Sequence, residues 1–309
     1  MIVALAGGVG AARFLAGLAL ARPTEKITAI VNTADDFTLH GLYISPDLDT
    51  VTYTLASAHN AEAGWGLAGD TFSAMESLDR YGGQSWFRLG DRDLGTHLYR
   101  TQRLSEGVSL SQITAEITAA WNLTTTLLPM SDQPVRTMIT LEDGEEVSFQ
   151  RYFVAMGHSV PVRAIRYDKA DYAKPAEGVL EAIGEASSVV ICPSNPFLSI
   201  GPIRAIPGIE AALAARREQC VAISPLIGGK AVKGPADRLM AELGQQPSSA
   251  SVARIYSPIA SVLVVDHSDA SWAASVEEAG MRCKPSSTLM SDSLRSAALA
   301  EDALAAIGR

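Results

Sequence analysis

The first hydrophobic run of the chain ends abruptly in glycines. Residues 2–6 are all apolar, Gly7-Gly8-Val9-Gly10 follows directly, and apolar residues then return at helical spacing from Phe14. This pattern predicts a buried strand, a tight turn and a helix. Such a junction directs backbone N–H groups and the positive end of a helix dipole at one point, which suits a phosphate. The turn is therefore either a phosphate site or an ordinary strand-to-helix connection.

Strands and helices alternate over most of the chain. A second apolar run, 27–33, follows the first helix at the spacing of a parallel strand–helix–strand unit. Further strands are predicted at 127–132, 189–192, 220–224 and 262–266, helices at 208–217, 235–243, 270–279 and 290–306, and a polar loop at 245–251. These elements predict an α/β fold with a Rossmann-like, mostly parallel sheet and helices on both faces.

Two segments depart from this alternation. Residues 45–125 are mainly helical in pattern, with helix starts at Pro46-Asp47 and near Asp70. We predict that 45–125 is a helical insertion over the crevice of a nucleotide-binding core formed by 1–44 and 126–309. Around Asp143-Gly144, apolar patterning predicts a β-hairpin with strands at 135–141 and 146–154.

Composition and charge exclude several classes of protein. The 309 residues are 47% hydrophobic and 19% charged, with a net charge of −9, whereas nucleic-acid binders carry a basic field. No apolar run approaches the ~20 residues of a membrane span, and no basic start to a signal peptide follows Met1. Cys192, Cys220 and Cys283 lack metal-ligand spacing and are predicted to be buried thiols. We expect a cytoplasmic protein without nucleic-acid or membrane partners.

Polar residues follow the predicted strands at the end where an open α/β sheet binds ligands. Asp35-Asp36 follows the second strand and is either a solvated turn or a metal or ribose site. The loop that contains Lys230 is not a Walker loop, because Ser224 replaces the first glycine and Ala231 replaces the Ser/Thr. That loop is either a phosphate-binding segment or a surface loop.

Motifs in order along nearly the whole chain resemble the 2-phospho-L-lactate transferase family of coenzyme F-420 biosynthesis. They are Ala6-Gly-Gly-Val-Gly-Ala-Ala-Arg13, Val31-Asn-Thr-Ala-Asp-Asp36, Ser45-Pro-Asp-Leu-Asp-Thr-Val51, Trp65-Gly66, Asp70-Thr-Phe72, Leu89-Gly-Asp-Arg-Asp-Leu-Gly-Thr-His97, Leu128-Pro-Met-Ser-Asp132, Phe149-Gln150, Pro193-Ser-Asn-Pro196, Ser199-Ile-Gly-Pro202 and Ser224-Pro-Leu-Ile-Gly-Gly-Lys230. Val9 stands where the family often has threonine, and Gly95 where many members have alanine.

The resemblance implies a transferase that needs magnesium. Family members move a phospho-acid (2-phospholactate, phosphoenolpyruvate or phosphoglycerate) from its guanosine diphosphate derivative to the ribityl hydroxyl of 7,8-didemethyl-8-hydroxy-5-deazariboflavin (Fo). GMP is released. The resemblance places Asp49 and Arg88 beside Fo. The sequence does not select among the three acids, and a homodimer is the default expectation because twofold assemblies are commonest.

Candidate residues follow from this chemistry, since phosphoryl-type transfer needs alignment and charge neutralisation. Hard cations prefer carboxylate oxygens, so Asp36 and Asp49 are expected to hold Mg²⁺, with Asp35 in reserve. Asp49, Arg88 and Asp36 are the expected catalytic residues. The residues expected to contact Fo are Asp49, Arg88, Trp65 and Trp86, and those expected to contact the nucleotide and its phosphates are Gly8, Gly10, Arg13, Asn32, Ser194, Asn195, Ser199 and Lys230.

Alternatives accompany several of these assignments. Arg88, Arg92 and Arg100 either bind phosphate oxygens or form a salt-bridged surface with Asp91 and Asp93. The tryptophans either stack on the deazaflavin or belong to the core, and His97 either assists proton transfer or supports the scaffold. Two competing functions are a non-catalytic nucleotide or sugar-nucleotide sensor, which would ignore Fo, and a dinucleotide oxidoreductase. The missing third glycine of the fingerprint, where Arg13 stands, argues against the oxidoreductase.

Overall fold

Seven parallel strands form the central sheet in the computed structural model, which describes residues 1–62 and 64–309. The strands are β1 (Ile2–Ala6), β2 (Ile27–Val31), β3 (Phe37–Leu39), β4 (Leu42–Ile44), β5 (Thr126–Pro129), β6 (Arg136–Leu141), β7 (Glu146–Ser148), β8 (Val162–Asp168), β9 (Ser188–Ile191), β10 (Cys220–Ile223), β11 (Leu226–Ile227), β12 (Lys230–Ala231), β13 (Val262–Asp266) and β14 (Arg282–Ser286). The central sheet has the order β14-β13-β10-β9-β1-β2-β5, and every neighbouring pair is parallel. This confirms the predicted α/β fold.

Helices cover both faces of the sheet. They are α1 (Gly8–Ala21), α2 (Pro46–Leu55), α3 (Ser73–Arg80), α4 (Asp93–Ser105), α5 (Leu110–Ala120), α6 (Val179–Glu185), α7 (Gly201–Ala205), α8 (Ile209–Ala215), α9 (Ala236–Glu242), α10 (Ser249–Tyr256), α11 (Ala273–Glu278) and α12 (Ser293–Ala305). In β1, Ile2 and Ala4 pack with α1 and α12, whereas Val3 and Leu5 pack with α6–α8 and α10. A strand buried on both sides needs apolar residues at every position, which explains the continuous run at 2–6.

The chain changes direction across the sheet between β1 and β9. From β1 it proceeds outward through β2 to β5, and it later returns to β9 on the other side of β1. In open α/β sheets, the crevice beyond the carboxyl ends of the strands at such a switch point is where ligands bind. The glycine turn after β1 and residues 193–199 after β9 lie at this crevice.

Four helices and one hairpin occupy the region between β2 and β5. The hairpin β3–β4 shares an apolar cluster with the helical segment, through Leu39, Ile44, Met75 and Leu89. Helix α3 begins at Ser73 because the carboxylate of Asp91 accepts its first backbone N–H groups. The division into a core and a helical insertion at residue 45 stays a prediction.

The predicted hairpin at 135–154 is wrong in its second strand. Strand β7 ends at Ser148, and Arg151–Ala155 forms a helical turn instead. The aromatic ring of Tyr152 is fully buried against β6 and β8, which a continued strand would not allow. Strand β8 pairs with β6 on its other edge, so the element is a three-stranded antiparallel sheet.

The predicted polar loop at 245–251 is also wrong, because helix α10 begins inside it. The Ser248 side chain accepts the backbone N–H of Ser251, as an N-cap does. Ser248 and Ser249 are fully buried. The serines therefore mark a helix start.

Within residues 1–62 and 64–309, no single helix has the length and apolar character to cross a membrane. The pair Pro196–Ala205 and Ile209–Ala215 reaches that length and composition when its two helices are counted together, but it is bent by 95°.

Cys192 and Cys220 are buried, as predicted, and burial raises the pKa of both thiols. Cys283 is only partly buried.

Candidate functional site

The glycine turn brings the start of α1 against the end of β9. Gly7 is the N-cap of α1, and Gly8 has φ +72°, a conformation that glycine adopts without strain. A Cβ atom on Gly10 would lie 2.5 Å from the carbonyl oxygen of Pro193. The Ser194 hydroxyl donates a hydrogen bond of 2.9 Å to the carbonyl oxygen of Gly7. The glycines thus allow the two neighbouring strand ends to pack closely, and the predicted strand, turn and helix are confirmed.

Replacing Gly10 by alanine should lower the free energy of unfolding by about 1–3 kcal/mol, because the backbone at Pro193 must move away. Gly95 in α4 is a matched control, since a Cβ atom there meets nothing within 4 Å. Gly95→Ala should raise the free energy of unfolding by about 0.5–1 kcal/mol. Urea denaturation of both variants measures the difference, and equal effects would contradict the close packing at Gly10.

An aspartate that sequence reasoning missed fills the start of α1. The backbone N–H of Gly8 donates a 2.8 Å hydrogen bond to Oδ1 of Asp47, and the amide of Asn32 donates one of 3.0 Å to Oδ2. Asp47 lies in the first turn of α2, where an acidic residue is an ordinary helix-start signal. That local role hid its long-range contact, and no pattern in the sequence pointed to it.

Asn32 joins the carboxylates to the rest of the crevice. Its fully buried amide group also donates to Oδ2 of Asp35 at 3.1 Å and to the carbonyl oxygen of Leu198 at 3.3 Å. Its own oxygen accepts the backbone N–H of Ala34. Asn32 therefore organises the acidic side chains, and its predicted contact with a nucleotide stays a prediction.

Four aspartates are buried together at this edge of the sheet. Their exposed fractions are 6% for Asp35, 5% for Asp36, 9% for Asp47 and 6% for Asp49. The solvated-turn interpretation of Asp35-Asp36 is therefore wrong. Burial raises the pKa of Asp35 and Asp36 well above the usual range and that of Asp47 to about 6.

Two of these carboxylates have an oxygen without a well-formed hydrogen bond. Within the described part of the chain, neither Oδ1 of Asp35 nor Oδ1 of Asp36 accepts a hydrogen bond of good geometry, although the Thr137 hydroxyl lies close to Asp35 and the Tyr43 hydroxyl lies close to Asp36. The other oxygen of Asp36 accepts the hydroxyl of Ser45 at 2.8 Å. Unsatisfied buried carboxylate oxygens are costly unless a proton or a cation meets them. These two atoms are the best candidates for metal ligands.

Asp49 forms a buried ion pair with Arg100. The guanidinium of Arg100 donates to both carboxylate oxygens, from Nη2 to Oδ1 and from Nη1 to Oδ2 at 3.1 Å. Arg100 is 1% exposed, so the alternative of a salt-bridged surface is wrong for this arginine. Its Nη1 atom lies 3.4 Å from Nδ1 of His97.

His97 and Asp93 extend this buried network. Nε2 of His97 lies 3.4 Å from Oδ2 of Asp93, and the Tyr53 hydroxyl donates to Oδ1 of Asp93 at 2.6 Å. Burial alone would raise the pKa of Asp93, but His97 and Tyr53 lower it. Asp49, Asp93 and His97 place ligand atoms within 4.8 Å of one another. The guanidinium of Arg100 already occupies both oxygens of Asp49 in this group, so Oδ1 of Asp35 and Oδ1 of Asp36 suit a cation better.

An aromatic surface lies on the helical side of the crevice; it comprises Phe37, Trp65, Phe72, Trp86 and Phe87. Trp65 and Trp86 are 45% and 38% exposed, so the core alternative is wrong for both. Trp65 contacts Phe72 edge-on at 6.2 Å, and Trp86 stacks on Phe37 at 6.3 Å. The guanidinium of Arg88 lies 4.4 Å over the ring of Phe72. The structure thus groups three of the residues predicted to contact Fo.

The Gly90-Asp91-Arg92-Asp93 motif serves mainly to start helices. Asp91 accepts the Thr71 hydroxyl at 2.5 Å and the N–H groups of Ser73 and Ala74, and these bonds lower its pKa to about 2. Arg92 donates to the carbonyl oxygen of Ala68 at 3.0 Å. The alternative in which Asp91 pairs with an arginine is wrong, because the Thr71 hydroxyl and two backbone N–H groups occupy its carboxylate.

The remaining nucleotide candidates divide into two groups. Ser194 and Ser199 adjoin the glycine turn, where a Cβ atom on Gly7 would lie 2.7 Å from Cβ of Ser199. Asn195 caps Pro196–Ile200 by accepting the N–H groups of Phe197 and Leu198. Arg13 and Lys230 are exposed, and Lys230 lies on the β11–β12 hairpin that follows β10, two strands from β1.

Comparisons with known proteins concern the family and the fold of the chain. A family model described as 2-phospho-L-lactate transferase CofD matches residues 2–298. Relatives called phosphoenolpyruvate transferase from Streptomyces griseus and Kitasatospora aureofaciens are each 47% identical, over 98% of this chain and 97% of theirs. A crystal structure of a UPF0052 family member from Bacillus halodurans is 18% identical, with a TM-score of 0.63 over 98% of both chains. This last likeness concerns the fold alone.

Proposed function

Because the chain belongs to the 2-phospho-L-lactate transferase family of coenzyme F-420 biosynthesis, we propose that it transfers phosphoenolpyruvate from a guanosine diphosphate derivative to the ribityl hydroxyl of Fo. GMP is the second product. The choice of phosphoenolpyruvate over phospholactate and phosphoglycerate rests on the names of the relatives that are 46–47% identical.

One observation carries the proposal beyond family membership. One side of the proposed site consists of the backbone donors and buried carboxylates at the switch point, and the other consists of the exposed aromatic surface with Arg88, in which Phe37 directly follows Asp36 in the chain. A guanosine diphosphate group suits the first side, because helix N-termini bind phosphates. A planar deazaflavin suits the second, because aromatic rings stack on planar heterocycles.

The reaction mainly requires that the protein align the attacking hydroxyl with the phosphorus. The ribityl oxygen forms a bond to the phosphorus that carries the acid and releases its proton to water, and the bond from that phosphorus to the bridging oxygen of GMP breaks, so that GMP leaves with that oxygen. In our proposal Asp49, fixed by Arg100, accepts a hydrogen bond from the attacking hydroxyl and aims it at the phosphorus. Arg88 and the tryptophans hold the deazaflavin ring.

Magnesium fits the donor set of this site. Among the described residues, no well-formed hydrogen bond reaches Oδ1 of Asp35 or Oδ1 of Asp36, and both are hard oxygen donors. Asp49 lies in the same acidic cluster. When bound, Mg²⁺ supplies neutralisation of the diphosphate charge. We propose Asp36 with Asp35 as the principal ligands, and we retain Asp49 as a ligand through a lone pair not used by Arg100.

Product analysis tests the function. The protein is incubated with Fo, Mg²⁺ and the guanosine diphosphate derivative of phosphoenolpyruvate, phospholactate or phosphoglycerate in turn, and the products are weighed by mass spectrometry. With the phosphoenolpyruvate donor, we expect GMP and Fo that carries the phosphoenolpyruvyl group. The rate should be at least tenfold higher than with the phospholactate or phosphoglycerate donor. A protein that binds nucleotide but ignores Fo would instead be a sensor.

Trp65→Ala and Trp86→Ala should each weaken Fo binding about tenfold, because each removes one aromatic contact at an exposed position. The visible absorbance of Fo reports the affinity. Trp272→Ala is the matched control, since Trp272 packs against a core cluster that contains none of the residues of the aromatic surface. Unchanged Fo affinity in both Trp65→Ala and Trp86→Ala would show that the aromatic surface does not bind Fo.

A further inference from the structure

Asp47 already uses the backbone donor that the proposed substrate needs. Its carboxylate accepts the N–H of Gly8 at 2.8 Å, at the positive end of the 14-residue helix α1. We propose that Asp47 is a positioning residue that yields this donor to the diphosphate when the nucleotide binds. The inference rests on the proposed function, because it assigns the diphosphate to the same turn.

The space around the turn supports an exchange of anions. A Cβ atom on Gly7 would lie 2.9 Å from Oδ2 of Asp47 and 2.7 Å from Cβ of Ser199. Asp47 and Ser199 therefore both lie against Gly7. A phosphate oxygen reaches the N–H of Gly8 only after the carboxylate of Asp47 has moved away.

The negative charge of Asp47 opposes the binding of the diphosphate. Among the described residues, the guanidinium that is buried with these four aspartates belongs to Arg100, and it is bound to Asp49. Asp47 lacks such a partner; it is held by the neutral donors of Gly8 and Asn32. An incoming diphosphate therefore meets a negative charge at the donor it needs, and this repulsion weakens nucleotide binding.

Displacement of Asp47 also reaches the reacting groups. Asp47 and Asp49 are two residues apart in the first turn of α2, which is anchored to the glycine turn through Asp47. When the diphosphate takes the donor, the carboxylate of Asp47 leaves Gly8, while Leu48 and Val51 still hold α2 against α1. Nucleotide binding thereby moves a negative charge at the start of α2, two residues from Asp49.

Asp47→Asn tests the inference. The amide removes the charge but can still accept the N–H of Gly8. GDP binding is measured by calorimetry in EDTA, so that no divalent cation contributes. We expect the affinity for GDP to rise about tenfold, because the repulsion is gone. A purely structural role would leave the affinity for GDP unchanged or lower it.

Asp292→Asn is the matched control. Asp292 is likewise an aspartate that accepts a backbone N–H at a helix start, but it lies at α12. GDP affinity should be unchanged in this variant. If Asp47→Asn does not fold, Asp47→Ser removes the same charge and carries the same expectation.

Unchanged or weaker GDP binding in the Asp47 variant would overturn the inference. Product formation by the wild-type protein tests the proposed function separately, since the comparison of GDP affinities needs no turnover. If the wild-type enzyme is active and the Asp47 variant binds GDP with wild-type affinity, the proposed function holds but the role of Asp47 does not.

Discussion

Asp49→Ala is expected to abolish turnover and to destabilise the protein together. Removal of the carboxylate leaves the guanidinium of Arg100 buried without its partner, which costs about 3–5 kcal/mol in comparable ion pairs. Loss of the group that aims the attacking hydroxyl should reduce kcat by about 10²–10⁴-fold. Thermal unfolding and product formation measure the two effects on the same preparation.

A double variant separates the two roles of Asp49. In Asp49→Leu/Arg100→Met, both charges are replaced by apolar groups, which is often close to neutral for stability. We expect the double variant to recover most of the lost stability but none of the turnover. Recovery of turnover together with stability would mean that Asp49 acts only through the fold.

Magnesium is expected to stabilise the protein at pH 7.5 and to have little effect at pH 5. Burial raises the pKa of Asp47 to about 6, and it raises those of Asp35 and Asp36 as well. A carboxyl group with a raised pKa binds its proton more tightly in the folded protein. Its contribution to stability is complete below the unfolded pKa near 4 and is lost as the pH rises through the folded pKa. A cation bound to the ionised carboxylates offsets that loss.

The size of the magnesium effect follows from mass action. At a concentration a hundredfold above Kd, Mg²⁺ should add about 2.7 kcal/mol, which raises the Tm by a few degrees. Asp93 has the opposite pH dependence, because its pKa is lowered in the folded protein and its contribution is lost on acidification. The comparison with and without Mg²⁺ at each pH removes this unrelated contribution.

Two variants locate the cation. Asp36→Asn should abolish the rise in Tm, since it removes a carboxylate with an unpaired buried oxygen. Asp266→Asn should retain the rise, because the carboxylate of Asp266 at the end of β13 is engaged by Ser268 and Thr288. Equal rises at both pH values, or in both variants, would contradict a magnesium site at Asp36.

The predicted fold followed from patterns that are local in the sequence. Strands β1, β2 and β13 are buried on both faces, and each appears as an unbroken or nearly unbroken apolar run. The turn after β1 needs glycine because Pro193 approaches it closely. Failures occurred where a tertiary contact overrode the local pattern, as at Tyr152, whose burial ends the predicted strand at 146–154.

Candidate site residues could be chosen from the sequence, but their partners could not. The pairs Gly8–Asp47 and Asp49–Arg100 join residues 39 and 51 positions apart. Trp86 was expected at the acceptor side, yet its stacking on Phe37 depends on how the β3–β4 hairpin meets the helical segment. No periodicity or spacing encodes such contacts.

By itself, the sequence determined the α/β fold, the glycine turn and the family, because runs of apolar residues and ordered motifs are properties of neighbouring positions. The tertiary structure alone decided that Asp47 holds the start of α1 and that Arg100 neutralises Asp49. It also decided that, among the described residues, Oδ1 of Asp35 and Oδ1 of Asp36 lack a well-formed hydrogen bond. The physical reason is that charge pairing and desolvation depend on which distant helices meet at the switch point of the sheet.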